Sequence, residues 1–323
     1  MKHPSETILK PWTLVVAFAA LAILALSACD TTMTAAGVGN TGDAGILELS
    51  ITDAPLMADG VNGVFITVED ILYNNAEDEW VSMEGFDGPQ TFDLLALNNG
   101  NSRLLGELEL PAGEYEQIRF MLGVQERGSQ GPPVSPGSWV EFGDNDTFDE
   151  ETDEPLFVPS GGQTGYKATA EEPFTIAPGG IVEMTADFDL RRAVVKAGPR
   201  YLLKPVLRLI VNDEVGSIVG EVSNEDPAFS YVAYAYESGA FNSGEDDDPE
   251  EGESRFPNAL VSAEIVDDPD GPDYVLPYLP AGGYTVVVAE YDGEEYLRSA
   301  AIGLGAEVTA GETTEVDLDL NDL

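Results

Sequence analysis

The sequence has 323 residues, 60 Asp plus Glu against 14 Lys plus Arg, a formal net charge of −46, one cysteine and one histidine. So negative a field excludes nucleic acid and anionic lipid surfaces as partners, and a single cysteine excludes disulfide staples within the chain. The excess of acid reads as solubility in a salty medium, where counterions screen self-repulsion over a Debye length of ~8 Å or less.

In chain order, Lys2 and Lys10 flank a short basic start, and the run from Trp12 to Ala28 carries no charge. It ends in Leu26-Ser27-Ala28-Cys29, small residues before a cysteine, the pattern of a signal peptide over residues 1–28 that is cut ahead of Cys29. LSAC resembles the lipobox of bacterial lipoproteins. That resemblance implies diacylglycerol on the Cys29 sulfur and an acylated new amine, hence a stable membrane anchor, since more than one acyl chain is needed for one. Asp30 resembles the inner-membrane retention signal of enteric bacteria; other bacteria sort differently, and either membrane fits. Cleavage would also remove His3, the sole histidine, and with it Ser-His-Asp and Cys-His catalysis and His-ligated zinc.

Residues 29–45 are small, polar and glycine-rich and read as a flexible tether. From Ile46 to residue 212 the texture is that of strands. Leu47, Leu49 and Ile51 share one face, as do Val64, Ile66 and Val68, then Ile118, Phe120, Leu122 and Val124, then Val182, Met184, Ala186 and Phe188. A turn or two of helix is expected within Phe92–Gly100. Residues 213–323 form a second strand-rich segment, with strands expected at Ser217–Val222, Phe229–Tyr236, Ala259–Val266, Tyr284–Tyr291 and Thr313–Leu320. Two acidic loops interrupt the pattern, Asp144–Glu154 and GEDDDPEEGESRFP, the latter expected to be too charged and proline-broken to pack. The phrase LPAGEY (Leu110–Tyr115) recurs as LPAGGY (Leu279–Tyr284). Each is expected to close a β-hairpin, proline fixing φ and glycine taking φ > 0. Short strands with Gly/Pro turns and little helix predict an all-β fold of two β-sandwich domains, 46–212 and 213–323.

Two family resemblances bear on these domains. LSITDAP (Leu49–Pro55), DLLALNNG (Asp93–Gly100), LPAGEYEQIRF (Leu110–Phe120), VPSGGQTGYK (Val158–Lys167) and DFDLRRAVVKAGPRYLLKPVLR (Asp187–Arg208) make the first segment resemble the bacterial lipoprotein domain known as domain of unknown function 4382. This implies an exported, lipid-anchored β-sandwich and no particular activity. GSIVGEV (Gly216–Val222), NALVSAEIV (Asn258–Val266) and LPYLPAGGYTVVVAEYDG (Leu276–Gly293) resemble the carboxypeptidase regulatory-like and Cna-B-like domains, which implies a prealbumin-like, Ig-like sandwich. With no lysine in that segment, the isopeptide cross-link of the Cna-B type is excluded.

Several side chains are candidates for function. Asp53 before Ala-Pro suits an Asx-turn better than a calcium site, and Ser160 among glycines suits a turn. Lys167, Lys204 and Arg208 stand out where cations are scarce; they either neutralise Asp187 and Asp189 or line a small anion pocket. Asp144, Asp146 and Asp149 fail the EF-hand spacing but remain candidates for weakly bound calcium. Tyr234 and Tyr236 share one strand face and would suit a glycan platform; core packing explains the same letters. No cofactor is expected. The expected function is non-enzymatic: a lipid-anchored envelope protein that binds a protein or glycan or mediates adhesion. The alternatives are a carbohydrate-binding accessory of a surface polysaccharide system and a glycoside hydrolase using paired carboxylates.

Overall fold

The structure is a computed structural model that describes residues 44–54, 60–75, 77–124, 137–143, 146–249, 253–293 and 295–323. The leader, Cys29, Asp30 and the tether up to residue 43 lie outside the described residues, as does Asp144. Among the described residues no helix is long and apolar enough to cross a membrane.

Thirteen strands make the N-terminal part: β1 (Ala44–Ala54), β2 (Gly63–Asn74), β3 (Trp80–Ser82), β4 (Gln90–Asp93), β5 (Arg103–Pro111), β6 (Gly113–Leu122), β7 (Trp139–Glu141), β8 (Glu154–Phe157), β9 (Tyr166–Ile176), β10 (Ile181–Asp189), β11 (Val194–Ala197), β12 (Arg200–Leu203) and β13 (Leu207–Val211). They hydrogen-bond in the order β11-β12-β8-β7-β2-β6-β9-β13-β10-β1-β5, with β3 and β4 on β2. This sheet closes over its own apolar face, so that Phe120 on β6 meets Phe188 on β10 edge to face at 5.7 Å. Leu47, Leu49 and Ile51 of β1 share that core with Val64, Ile66 and Val68 of β2, as the two-residue alternation requires. The expected helix in Phe92–Gly100 is one 3-10 turn, Leu95–Leu97.

The C-terminal part adds β14 (Val215–Gly220), β15 (Val222–Ser223), β16 (Ser230–Glu237), β17 (Val261–Ile265), β18 (Tyr274–Pro280), β19 (Gly282–Asp292), β20 (Glu295–Val308), β21 (Thr313–Glu315) and β22 (Leu318–Asp319). The sheets are β18-β14-β21, β15-β22 and β17-β16-β19-β20. One core lies between the three- and four-stranded sheets, with Ile218, Leu276, Ala233 and Val286. A second, built on Val232, Tyr234, Tyr236 and Val287, covers the opposite face of the four-stranded sheet. Both faces of β16 are therefore buried. The protein is all-β, as its alternation predicts.

The repeated hexapeptide is not a hairpin turn in either place. β5 pairs with β1, whereas β6 pairs with β2 and β9; β18 pairs with β14, whereas β19 pairs with β16 and β20. Each copy instead carries the chain from one strand pairing to another. Tyr115 Oη donates to the Pro111 carbonyl at 2.7 Å and Tyr284 Oη to the Pro280 carbonyl at 2.8 Å. The same four-residue reach, a tyrosine corner in form, ties both bends. Gly113 and Gly282 are absent from the positive-φ residues; their bare Cα sits beneath the tyrosine ring two positions on. Burial first, then the Glu237 charge, pushes the Tyr284 hydroxyl up to about 12, so it stays a donor at neutral pH. Tyr284→Phe should cost about 1 kcal/mol in urea unfolding, and Tyr115→Phe, at a wetter corner, distinctly less. Equal or negligible losses would dismiss the corner bonds as stabilising.

The acidic insertion after β16, expected not to pack, folds over the outer face of the four-stranded sheet. Phe256 is 0% exposed and lies 4.5 Å from the Tyr234 ring and 5.9 Å from that of Tyr296. Glu245, buried despite its charge, accepts from Tyr236 Oη at 2.9 Å and from the Asn258 backbone and side-chain amides. Arg255 stacks on Tyr296 and donates to the carbonyls of Asp246 and Asp247 and to the Asp248 carboxylate. The loop packs because one phenylalanine and one arginine give its carboxylates something to close upon.

Candidate functional site

The parallel pairing of β1 with β10 sets Asp53 opposite Phe188 and Ala54 opposite Asp189. Where β10 ends, the single helical turn α1 (Leu190–Ala193) begins. Asp53 Oδ1 accepts from the Leu190 backbone N–H at 3.0 Å. It is thus a long-range cap on that turn; the groups its expected Asx-turn would engage, from residue 55 on, lie outside the described residues. One residue earlier, Thr52 Oγ1 donates to the carbonyls of Leu97 and Asn101, clamping the DLLALNNG loop to the same corner. Three sequence phrases far apart in the chain therefore meet at one end of the N-terminal sheet.

That corner holds a cluster of buried charge. Asp189 pairs with Arg191 at 2.8 Å and with Arg192 at 2.7 Å; the side chains of Asp189 and Arg191 are each 7% exposed. Burial pushes the Asp189 carboxyl up, but the charges and hydrogen bonds of the two arginines outweigh it and hold the group below its ordinary range. Arg208 pairs with Asp187 at 2.7 Å, as expected of that residue. Lys167 and Lys204 do not supply the partner of Asp189. Lys167 is exposed on β9 opposite Arg119, and Lys204, half-buried just after β12, donates its backbone N–H to Ala193. Arg191 and Arg192 supply that partner instead, and their adjacency in a chain so poor in cations is the sequence signal for that role.

All these arginines face the C-terminal part. Arg191 Nη2 lies 3.4 Å from the Ala259 carbonyl, Arg192 Nη1 3.2 Å from that of Pro257, and Arg208 Nη1 3.4 Å from that of Tyr278. Asn99 Nδ2 donates to the Glu264 carbonyl at 3.2 Å. The Arg191 guanidinium also stands 5.7 Å over the Tyr234 ring. Peptide carbonyls read by guanidinium forks make a polar joint.

Beside this joint a cleft of ≈ 350 Å³ opens between β9 and β13 on one side and Val215, Leu260, Tyr278 and Pro280 on the other. Its origin is in the strand pairing. β13 and β9 pair only at Arg208↔Thr169 and Leu209↔Ala170, because opposite the single residue Glu116 β9 spends four, Ala170 to Pro173. The strands part there, and Leu209, Ile210 and Val211 line the opening. Tyr278 holds φ +56°, a left-handed conformation costing a bulky residue on the order of 1–3 kcal/mol. It falls at the bulge where β18 shifts register against β14, and its carbonyl is the one that faces Arg208.

The other candidates fall elsewhere. Tyr234 and Tyr236 are 4% and 0% exposed, bonded to Tyr291 and Glu245. The insertion covers their rings, so the expected glycan platform is not formed by them. Ser160 lies at φ +58° in a turn, its carbonyl accepting from Gln163 and Thr164. Asp146 and Asp149 turn backbone N–H groups toward Glu141 and Asp153. Among the described residues no three acidic, histidine or cysteine side chains converge to hold a metal. The acidic loop is organised by Asp153, which accepts from Phe142, Gly143, Asp149 and Thr152. Burial raises its carboxyl, and those bonds together bring it below the usual value.

Comparison with known proteins bears mainly on the N-terminal part. The family described as Domain of unknown function (DUF4382) matches residues 44–205, which takes in Asp53, Asp189, Arg191 and Arg192 and stops short of β13. Curated proteins return no match. Among solved structures, the Bacillus anthracis TIE protein is 12% identical with TM-score 0.18; the alignment covers 86% of this chain and only 34% of that one. The minor pilin of Streptococcus agalactiae is 12% identical over 84% of this chain and 94% of its own, TM-score 0.18. A fimbrial protein from Bacteroides ovatus is 9% identical over 86% and 49%, TM-score 0.20. At such scores none of them informs what the chain does.

Proposed function

Since the chain belongs to the DUF4382 family, whose description assigns no activity, we propose from its own residues that it is a non-enzymatic binding scaffold, lipid-anchored through Cys29 in the cell envelope. Two β-sandwich domains, 46–212 and 213–323, the second of carboxypeptidase regulatory-like type, hold its binding surface. The observation that carries this is the cleft at their joint. It has an apolar floor, and its arginine is already engaged by Asp187 and Tyr278, an arrangement suited to holding a ligand. The small-residue run into Cys29 supports the anchor.

A photo-crosslinking residue in place of Val211, in cells, tests both halves. The wild-type N-terminus should give a processed, membrane-associated protein with a discrete adduct from position 211. Cys29→Ser should accumulate as unprocessed precursor. Normal maturation of Cys29→Ser removes the anchor from the reading, and the absence of any adduct removes the binding.

A further inference from the structure

We infer that the cleft takes an extended peptide segment in which a lysine or arginine stands next to an apolar residue. This rests on the binding reading above and names its ligand class.

The floor is apolar and lies where two strands part, a place for an extended chain to lay an aliphatic side chain. Around it stand Glu171, Glu172 and Glu214, all exposed. Their carboxylates make no hydrogen bond or ion pair among the described residues. The one arginine lining the cleft is neutralised by Asp187 at 2.7 Å, so nothing there offsets the three charges. An anionic ligand would meet the repulsion of these three carboxylates, whereas a cation finds acceptors that gain a partner. Residues Glu171 and Glu172 belong to the stretch of β9 that has left its partners, which sets their charges over the opening in the sheet. The charge of −46 on the whole chain adds long-range steering of a basic segment toward it. A cleft of ≈ 350 Å³ lies at the small end of ligand pockets, which restricts the occupant to a short stretch.

The test is calorimetric titration of the full-length protein with three blocked pentapeptides, Val-Lys-Val-Lys-Val, Val-Gln-Val-Gln-Val and Val-Glu-Val-Glu-Val. The basic peptide should bind about tenfold more tightly than the neutral one, the sum of a few exposed charge pairs. The acidic peptide should not bind. Combining Glu171→Gln, Glu172→Gln and Glu214→Gln, surface changes that relieve repulsion, should bring the basic peptide down to the neutral one. If all three peptides bind equally and Leu260→Asp abolishes them, the charge rule is wrong while the cleft still binds. If the triple variant holds the basic peptide as tightly as wild type, the assignment to this rim is overturned. If no peptide binds although the adduct from position 211 forms, the ligand is not of this class and the inference fails alone.

Discussion

Asp189→Asn is expected to lower the unfolding free energy by about 3–5 kcal/mol, the loss seen when one partner of a buried pair is removed. The amide keeps the shape of the carboxylate but leaves Arg191, itself 7% exposed, as an uncompensated charge over the Tyr234 ring. Arg192, whose side chain is 37% exposed, contributes far less; Arg192→Ala should cost less than about 1 kcal/mol. Guanidinium melts of the two variants separate these values, and comparable losses would mean that the cluster is not held by its buried member. The same pair gives a pH dependence. The folded Asp189 carboxyl lies below its ordinary value, so its stabilisation is complete above the unfolded pKa of ~3.9 and drains as pH falls below that through the depressed folded value. Wild type should lose stability on acidification below about pH 4 more steeply than Asp189→Asn.

Phe256→Ala should cost about 3–5 kcal/mol, as large-to-small changes at fully buried aromatics do. The ring closes the second core of the C-terminal part between Tyr234 and Tyr296. Its loss also admits water to the Tyr234–Tyr291 hydroxyl pair, 2.9 Å apart. Burial now holds the Tyr234 hydroxyl well above its usual range, helped by Tyr291, so its alkaline titration should move down in the variant. A change of stability within about 1 kcal/mol would show that the insertion is an ornament and not part of the core.

The legible and illegible parts of the fold divide by the distance over which residues act. Alternation at Leu47-Leu49-Ile51 or Val182-Met184-Ala186 is a local signal, and it located β1 and β10. β9 and β20 carry no such signal, because Ala168 and Ala170 in one, and Gly303, Gly305 and paired alanines in the other, weaken the apolar face that alternation depends on. The hexapeptide showed where the chain bends, but which strands flank the bend is decided by pairings tens of residues away. Arg208 with Asp187 was foreseeable from charge scarcity, whereas the choice of Arg191 for Asp189 depends on a helical turn of four residues. Tyr234 and Tyr236 share one face, as the alternation predicts; that the acidic insertion covers this face depends on Phe256, the single aromatic residue in a fourteen-residue stretch dominated by acids, glycine and proline. The cleft had no local signature, since it exists only where β9 and β13 diverge beneath Leu260 and Tyr278.

The first strand sits inside its sheet, running alongside β10 from Ile46↔Ile181 to Ala54↔Asp189 and against β5 on its other edge. A pull along the axis of that strand, from the segment that precedes Ala44, therefore loads two rows of hydrogen bonds in shear at once and cannot peel them one at a time. Tension entering the molecule at this point is shared between β10 and the edge strand β5, and the strand that receives it yields only when both neighbours let go together.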